Sequence, residues 1–290
     1  MRDSVKRRLL ISIFLFTILF TCIYAYVTRE NEQPFTQVKK LSGNGCIVLN
    51  YHRIRPGNAI IKYLAKVSRN PELTTYSVFK DDFIEQITFL QKHKFQFITP
   101  KELYDYINQQ KKMPSKCAMI TFDDIDQSVY HYAYPFLKQQ QIPFTIFIIT
   151  GEVGNPNFKG LTMSNWDQIF EMTRSNLITV GTHTHQLHYI ENGEKPPFLK
   201  SENISKFITD SKRAKQVFYD HFGYEPKYFA YPYGFGTPQT DNILLSEQYD
   251  LLFTLSPGIV NEHSSSFFIQ RVLIDDFSWK AIQDWVHTAS

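Results

Sequence analysis

Two adjacent carboxylates, Asp123 and Asp124, end the apolar run Cys117-Ala118-Met119-Ile120-Thr121-Phe122. Neighbouring carboxylates repel one another, and burial raises the pKa of each unless a cation or donor compensates. A divalent metal ion is one such cation. Side chains alternate along a strand, so one Asp can bind a metal while its neighbour stays free as a base. Taken alone, the pair is better read as a solvated strand end that opens a loop or caps a helix.

A second cluster favours chemistry. The apolar run from Leu177 to Val180 is followed by Gly181-Thr182-His183-Thr184-His185-Gln186-Leu187-His188, so three of the nine histidines fall within six residues. Neutral imidazole is the commonest side-chain metal ligand. Two His and one carboxylate, with open positions for water, suit a hydrolytic metal centre. Packing does not explain three histidines at a strand end in a chain that also carries the Asp pair.

The elements that must position these groups alternate along the chain. Cys46 to Asn50 reads as a strand delivering Tyr51-His52-Arg53. Residues 56–76 read as a surface excursion, apolar through Ile60, Ile61, Tyr63, Leu64 and Val67. Ser77 is expected to cap a helix with Phe79, Phe83, Ile87 and Leu90 on one face. Further strands are expected over 95–99, 117–124, 144–149, 177–180, 228–231, 251–255 and 268–274. Helices are expected from Pro100, over 129–140, after a Ser164 cap, over 203–222 and 238–248, and around Trp279 to Trp285.

The strands are continuous apolar runs, the mark of parallel strands covered on both faces. His52, Asp123, Asp124, His183 and the Tyr231-Pro232-Tyr233-Gly234 turn all lie at strand C-terminal ends. In an α/β barrel those ends meet at one mouth, where catalysis takes place. A barrel of seven to eight units is therefore favoured over an open sheet.

With 290 residues, 43% of them hydrophobic, the chain can bury a large core. A net charge of +3 is too small to suggest nucleic acid, and Arg2, Lys6, Arg7 and Arg8 crowd the N-terminus. Leu9 to Val27 then runs without a charge, long enough to span a membrane. The segment 1–30 is read as an uncleaved anchor or signal segment and 31–44 as a linker, with a single domain over 45–290 outside the cell. Cys46 and Cys117 lie six residues before His52 and Asp123. Because adjacent parallel strands rarely suit disulfide geometry, two buried free thiols are expected there.

Thr121-Phe122-Asp123-Asp124, the His-Thr cluster and the aromatic Pro-Tyr-Gly turn, in this order, resemble the polysaccharide deacetylases (carbohydrate esterase family four). The likeness spans about residues 45–275. The early Leu49-Asn50-Tyr51-His52-Arg53 is most similar to the circularly permuted branch, the poly-β-1,6-N-acetylglucosamine deacetylases of biofilm export. The resemblance implies a distorted (β/α) barrel of about seven parallel strands. It also implies a metal-dependent hydrolase that removes N-acetyl groups from this polymer at the cell surface. Asp123 would be the general base, and Asp124, His183 and His188 the metal ligands, with His185 in reserve. Tyr233 would offer its backbone N–H to the oxyanion, and His52 would be the general acid. Zinc is the implied ion, with nickel or cobalt also suited. The membrane and the exopolysaccharide synthesis machinery are the implied partners.

The chain departs from the family pattern in two places. Ala230 stands where the wider family has an Arg that pairs with the catalytic Asp, and no Asp-x-x-Asp-Trp motif is present. Arg271, Asp275 and Asp276 are candidate replacements. Competing readings are a deacetylase of peptidoglycan or chitin-type oligomers and an inactive carbohydrate-binding surface protein.

Overall fold

The computed structural model describes residues 38, 40–68, 70–190 and 196–288. The apolar segment Leu9 to Val27 and most of the 31–44 segment lie outside the described residues. No described helix is long and apolar enough to cross a membrane.

In chain order the elements are β1 Gly45–Tyr51, β2 Arg53–Arg55, α1 Ala59–Ser68, α2 Pro71–Thr74, β3 Ser77–Phe79, α3 Lys80–Lys92, β4 Gln96–Phe97 and α4 Pro100–Ile107. There follow β5 Lys116–Asp124, a π-helical turn Val129–Ala133, α5 Tyr134–Gln139, β6 Phe144–Ile148, α6 Trp166–Thr173 and β7 Ile178–Thr182. The chain continues with α7 Ile204–Phe222, β8 Tyr228–Ala230, α8 Pro238–Ser246, β9 Leu251–Phe253, β10 Ile259–Val260, β11 Val272–Leu273 and α9 Asp276–Thr288.

The main sheet has nine strands, ordered β10-β1-β5-β6-β7-β8-β9, with β11 beside β1 and β4 beside β5. All pairings are parallel except β1 with β10. The sheet curls, and between β9 and β11 its sides are joined by a Phe253–Ile269 bridge and flanking backbone hydrogen bonds, Leu252 N–H to Ser266 O and Arg271 N–H to Ser256 O among them. The expected seven-stranded barrel is thus a curled mixed sheet with a loose seam. The 268–274 run makes one bridge and a two-residue strand, and so cannot close the ring fully.

Alternation along β5 sorts the side chains. Cys117 and Met119 join the inner cluster with Val48, Phe147 and Phe253. Ala118, Ile120 and Phe122 join the outer cluster under α3 and α9. By the same alternation Thr121 and Asp123 face inward, so the strand aims its first carboxylate up the inside of the curl. Val38 and Leu41 are buried in the outer cluster, and Trp285 donates its indole N–H to the Gly43 carbonyl at 2.9 Å.

Several local expectations are corrected. Cys46 and Cys117 form a disulfide. They are direct register partners on β1 and β5 with Cα atoms 4.5 Å apart, which places the two Cβ atoms on the same face with their Sγ atoms within bridging reach. Ser77 caps no helix. It lies in β3, where its Oγ donates to the Glu72 carbonyl and accepts from Arg55 Nε. Asn165, not Ser164, caps α6 through a reciprocal bond pair with Gln168. Residues 56–76 are no featureless excursion but carry α1 and α2, closed at the base by the parallel pair β2–β3.

Candidate metal centre

Asp123 and Asp124 are both buried, yet they face different partners. Arg271 grips Asp123 with two parallel bonds, Nη1 to Oδ1 at 2.7 Å and Nη2 to Oδ2 at 2.8 Å. The guanidinium is itself fully buried, bonded to Thr254 O and Thr121 Oγ1 and set beside the Phe147 and Phe253 rings. Burial alone would raise the Asp123 carboxyl, but Arg271, His183 and His52 together hold it below the ordinary range. Of the three candidate replacements, Arg271 takes the partner's place. Asp275 instead accepts from Ser278 N–H at the start of α9, and Asp276 is exposed and paired with Lys66.

Asp124 departs from strand geometry at φ +67°, and Ile125 follows at +70°. The left-handed step turns its carboxylate off the strand's alternation and toward the histidine loop. Thr184 at +70° and Tyr233 at +59° adopt the same strained region. Four such residues around one site fit the rule that backbone strain collects where function requires it.

Asp124 Oδ1 lies 3.1 Å from His188 Nε2 and 3.5 Å from His183 Nε2. One ligand atom from each of the three falls within 4.8 Å of the others. His183 Nδ1–H donates to the Ala230 carbonyl at 2.7 Å, which fixes the tautomer and leaves Nε2 free to ligate. Asp124 Oδ1 and His183 Nε2 are buried without a hydrogen-bond partner among the described residues. Such groups are costly unless something satisfies them. A divalent cation between them meets that need, and the donor set suits zinc, nickel or cobalt. Burial would raise Asp124, but His188, His52 and His183 hold it well below the usual carboxylate range.

His185 turns away, with Nδ1 hydrogen-bonded to Thr150 Oγ1 at 3.0 Å. His52, on the turn after β1, is buried, and its ring meets Tyr76 edge-on at 5.2 Å. Tyr233 stacks obliquely on His188 with centroids 4.7 Å apart. Three groups that the motifs did not mark complete the rim. Arg53 Nη2 reaches to 3.6 Å of Asp124 Oδ2, and its Nη1 pairs with Glu72 at 3.0 Å. Tyr76 lies beside that guanidinium. Lys159 Nζ donates to the His188 carbonyl at 2.8 Å and to the Tyr233 hydroxyl at 3.0 Å. Arg53 adjoins His52 in sequence and was findable on that ground. Lys159 comes from an irregular loop and carried no signal.

Burial pulls His52 down to about 4, against the pull of Asp124 and Asp123. Burial likewise pulls His183 to about 4. A His lowered in the fold binds fewer protons than in the unfolded chain, where it titrates near about 6.5. The metal-free protein is expected to keep this stability above about pH 6.5 and to lose it as pH falls toward 4. Denaturant unfolding at stepped pH measures this. The outcome that counts against it is a flat profile across that window.

Comparison with known proteins gives one consistent result. The family profile described as "Polysaccharide deacetylase" matches residues 110–252. A poly-beta-1,6-N-acetyl-D-glucosamine N-deacetylase of Staphylococcus aureus (strain MRSA252) is 31% identical over 278 residues, covering 96% of this chain and 95% of that one. The protein of the same name from Staphylococcus epidermidis is 31% identical over 262 residues, covering 89% and 90%. Among solved structures, IcaB from Ammonifex degensii superposes with a TM-score of 0.77 at 37% identity, over 86% of this chain and 99% of that one. The Streptococcus pyogenes deacetylase PplD shares the fold, with a TM-score of 0.67 at 21% identity over 87% of this chain and 99% of that one.

Proposed function

This chain belongs to the polysaccharide deacetylase family, and from that premise we propose that it is an N-deacetylase of poly-β-1,6-N-acetyl-D-glucosamine. The observation that carries the reading is the cluster of Asp124, His183 and His188 beside an Asp123 kept ionised by Arg271. The substrate follows from relatives of that name that align over nearly the whole chain. The role is maturation of a biofilm exopolysaccharide.

Asp124, His183 and His188 would hold the ion, for which zinc is the first choice. Once bound, it supplies Lewis-acid activation of water and of the acetamide carbonyl. Asp123 accepts the proton that water gives up, a task for which its depressed pKa keeps it available. The Tyr233 N–H, presented by the left-handed turn, donates to the developing oxyanion. His52 passes a proton to the leaving nitrogen. The proton so delivered is balanced by the one that Asp123 takes from water, and no outside acid is needed. The products are acetate and a free, cationic amine on the sugar. Acetate release from β-1,6-linked N-acetylglucosamine oligomers, compared with chitin-type and peptidoglycan oligomers, tests the reading. Turnover of the chitin-type oligomers alone would sink the substrate assignment.

The second part of the reading concerns place. Leu9 to Val27 would anchor the chain, with the domain over 45–290 outside the cell and near the polymer's synthesis machinery. A separate feature supports a membrane partner. Helix α1 buries only Ala65, while Ile60, Ile61, Tyr63, Leu64 and Val67 are all exposed on it, Ile60 at 69%. Lys66 reaches Asp276 at the head of α9, where Phe277 is 77% exposed, so the apolar surface continues across that contact. A bilayer interface accepts such a surface, while water does not favour it. A protein lacking residues 1–30 is expected to sediment with anionic vesicles. Changing Ile60, Ile61 and Leu64 to Ser should release it without loss of activity on soluble oligomers. Failure of the truncated wild type to bind would end the idea.

A further inference from the structure

Between His183 and His188 the chain must leave the metal centre and come back, and two contacts outside the centre determine how. The first is a carboxylate from another element. Asp210 of α7, only 9% exposed, accepts the His185 N–H on Oδ2 at 2.7 Å and the Gln186 N–H on Oδ1 at 2.8 Å. The Leu187 N–H points to the same group. The second is the end of β6. Gly151 N–H donates to the His185 carbonyl at 3.0 Å, an approach so close that a Cβ at position 151 would lie 2.5 Å from that oxygen.

These contacts account for the course of each side chain. With its N–H on Asp210 and its ring on Thr150, His185 is drawn away from Asp124. Leu187 sinks into the cluster formed by Phe198, Phe207 and Phe229. Only then does His188 come back to 3.1 Å from Asp124. A buried carboxylate accepting consecutive N–H groups forms charge-assisted bonds, the stronger kind, so it holds a turn more firmly than a neutral acceptor would.

We propose that Asp210 is a positioning residue for the metal centre: by clamping the His185–Leu187 turn it places His188, and not His185, as the second imidazole ligand. This rests on the reading that Asp124, His183 and His188 hold the ion. Groups that orient ligands from outside typically contribute ~10–100-fold in metal affinity.

The test is zinc titration of the metal-stripped full chain, together with the unfolding temperature of the metal-free form. Asp210→Ala should weaken zinc about 10–100-fold. Asp210→Asn keeps the shape and one acceptor, so it should lie between Ala and wild type. Ser211→Ala is the control for a purely structural lesion on the same helix. It breaks a buried bond to Glu247 and should lower the unfolding temperature with zinc affinity unchanged. In a His188→Ala background, Asp210→Ala should cost little further affinity, since the ligand it positions is gone. The inference is overturned if both Asp210 variants bind zinc like wild type, or if they behave like Ser211→Ala. It is also overturned if the loss in affinity is undiminished in the His188→Ala background. A His188→Ala protein with wild-type zinc affinity would instead remove the ligand set beneath it.

Discussion

Alanine at Asp124, His183 or His188 is expected to remove the bound metal and the hydrolytic activity together, while alanine at His185 leaves the metal in place. The three residues bring one ligand atom each into a buried cluster 4.8 Å across, with His183 oriented by the Ala230 carbonyl. Loss of any one leaves two donors for an ion that favours four ligands. The fall in affinity should therefore exceed the ~10–100-fold typical of changes outside the ligand shell. His185 gives its Nδ1 to Thr150 and has no path to Asp124. Metal content after dialysis, measured beside acetate release, decides the matter. Full metal in His188→Ala and none in His185→Ala would reverse the ligand assignment.

The parts of this site that were legible in the sequence share a physical cause. Buried parallel strands must be apolar, so a strand ending in Asp123-Asp124 or followed by His183-Thr184-His185 stands out against its own pattern. Arg271 was visible only as a charge after a late strand. Its place opposite Asp123 depends on Ile269 bridging to Phe253 and on 272–273 returning alongside β1, long-range pairings that composition does not encode. The disulfide was misread for another reason: adjacent parallel strands were held unsuited to one, whereas Cys46 and Cys117 are direct register partners with Cα atoms 4.5 Å apart. Helix α1 was read only as an apolar surface excursion, although Ile60, Ile61, Leu64 and Val67 recur at helical spacing, and which way that stripe faces depends on packing that spacing does not encode. The burial that lowers the His52 pKa was also out of reach, since residue type says nothing of depth.

The Asp123–Arg271 pair should produce the other large effect. Asp123→Asn is expected to keep the metal and, at some loss of stability because the buried Arg271 loses its counter-charge, the fold, while activity falls at least ~100-fold, the usual scale for losing a general base. Arg271→Met asks more of the protein, because it leaves a buried carboxylate without its partner. Removing one member of a buried pair costs about 3–5 kcal/mol, and the unpaired carboxyl should then be raised by its burial. The sign is fixed by the present state. With Arg271 in place, Asp123 titrates below its ordinary value, so its contribution to stability is present above about pH 4 and is lost on acidification through the folded pKa. Without Arg271 that contribution disappears and the carboxyl takes up its proton at higher pH. The acid limb of kcat/KM should therefore move upward in Arg271→Met. It should move less in Arg271→Lys, which keeps the charge but loses the two-pronged grip. Should Arg271→Met fail to fold, the lysine variant still carries the test through its pH profile. If both variants hold the wild-type acid limb, Arg271 does not set the ionisation of Asp123. The absence of an arginine at position 230 would then have no replacement in this site.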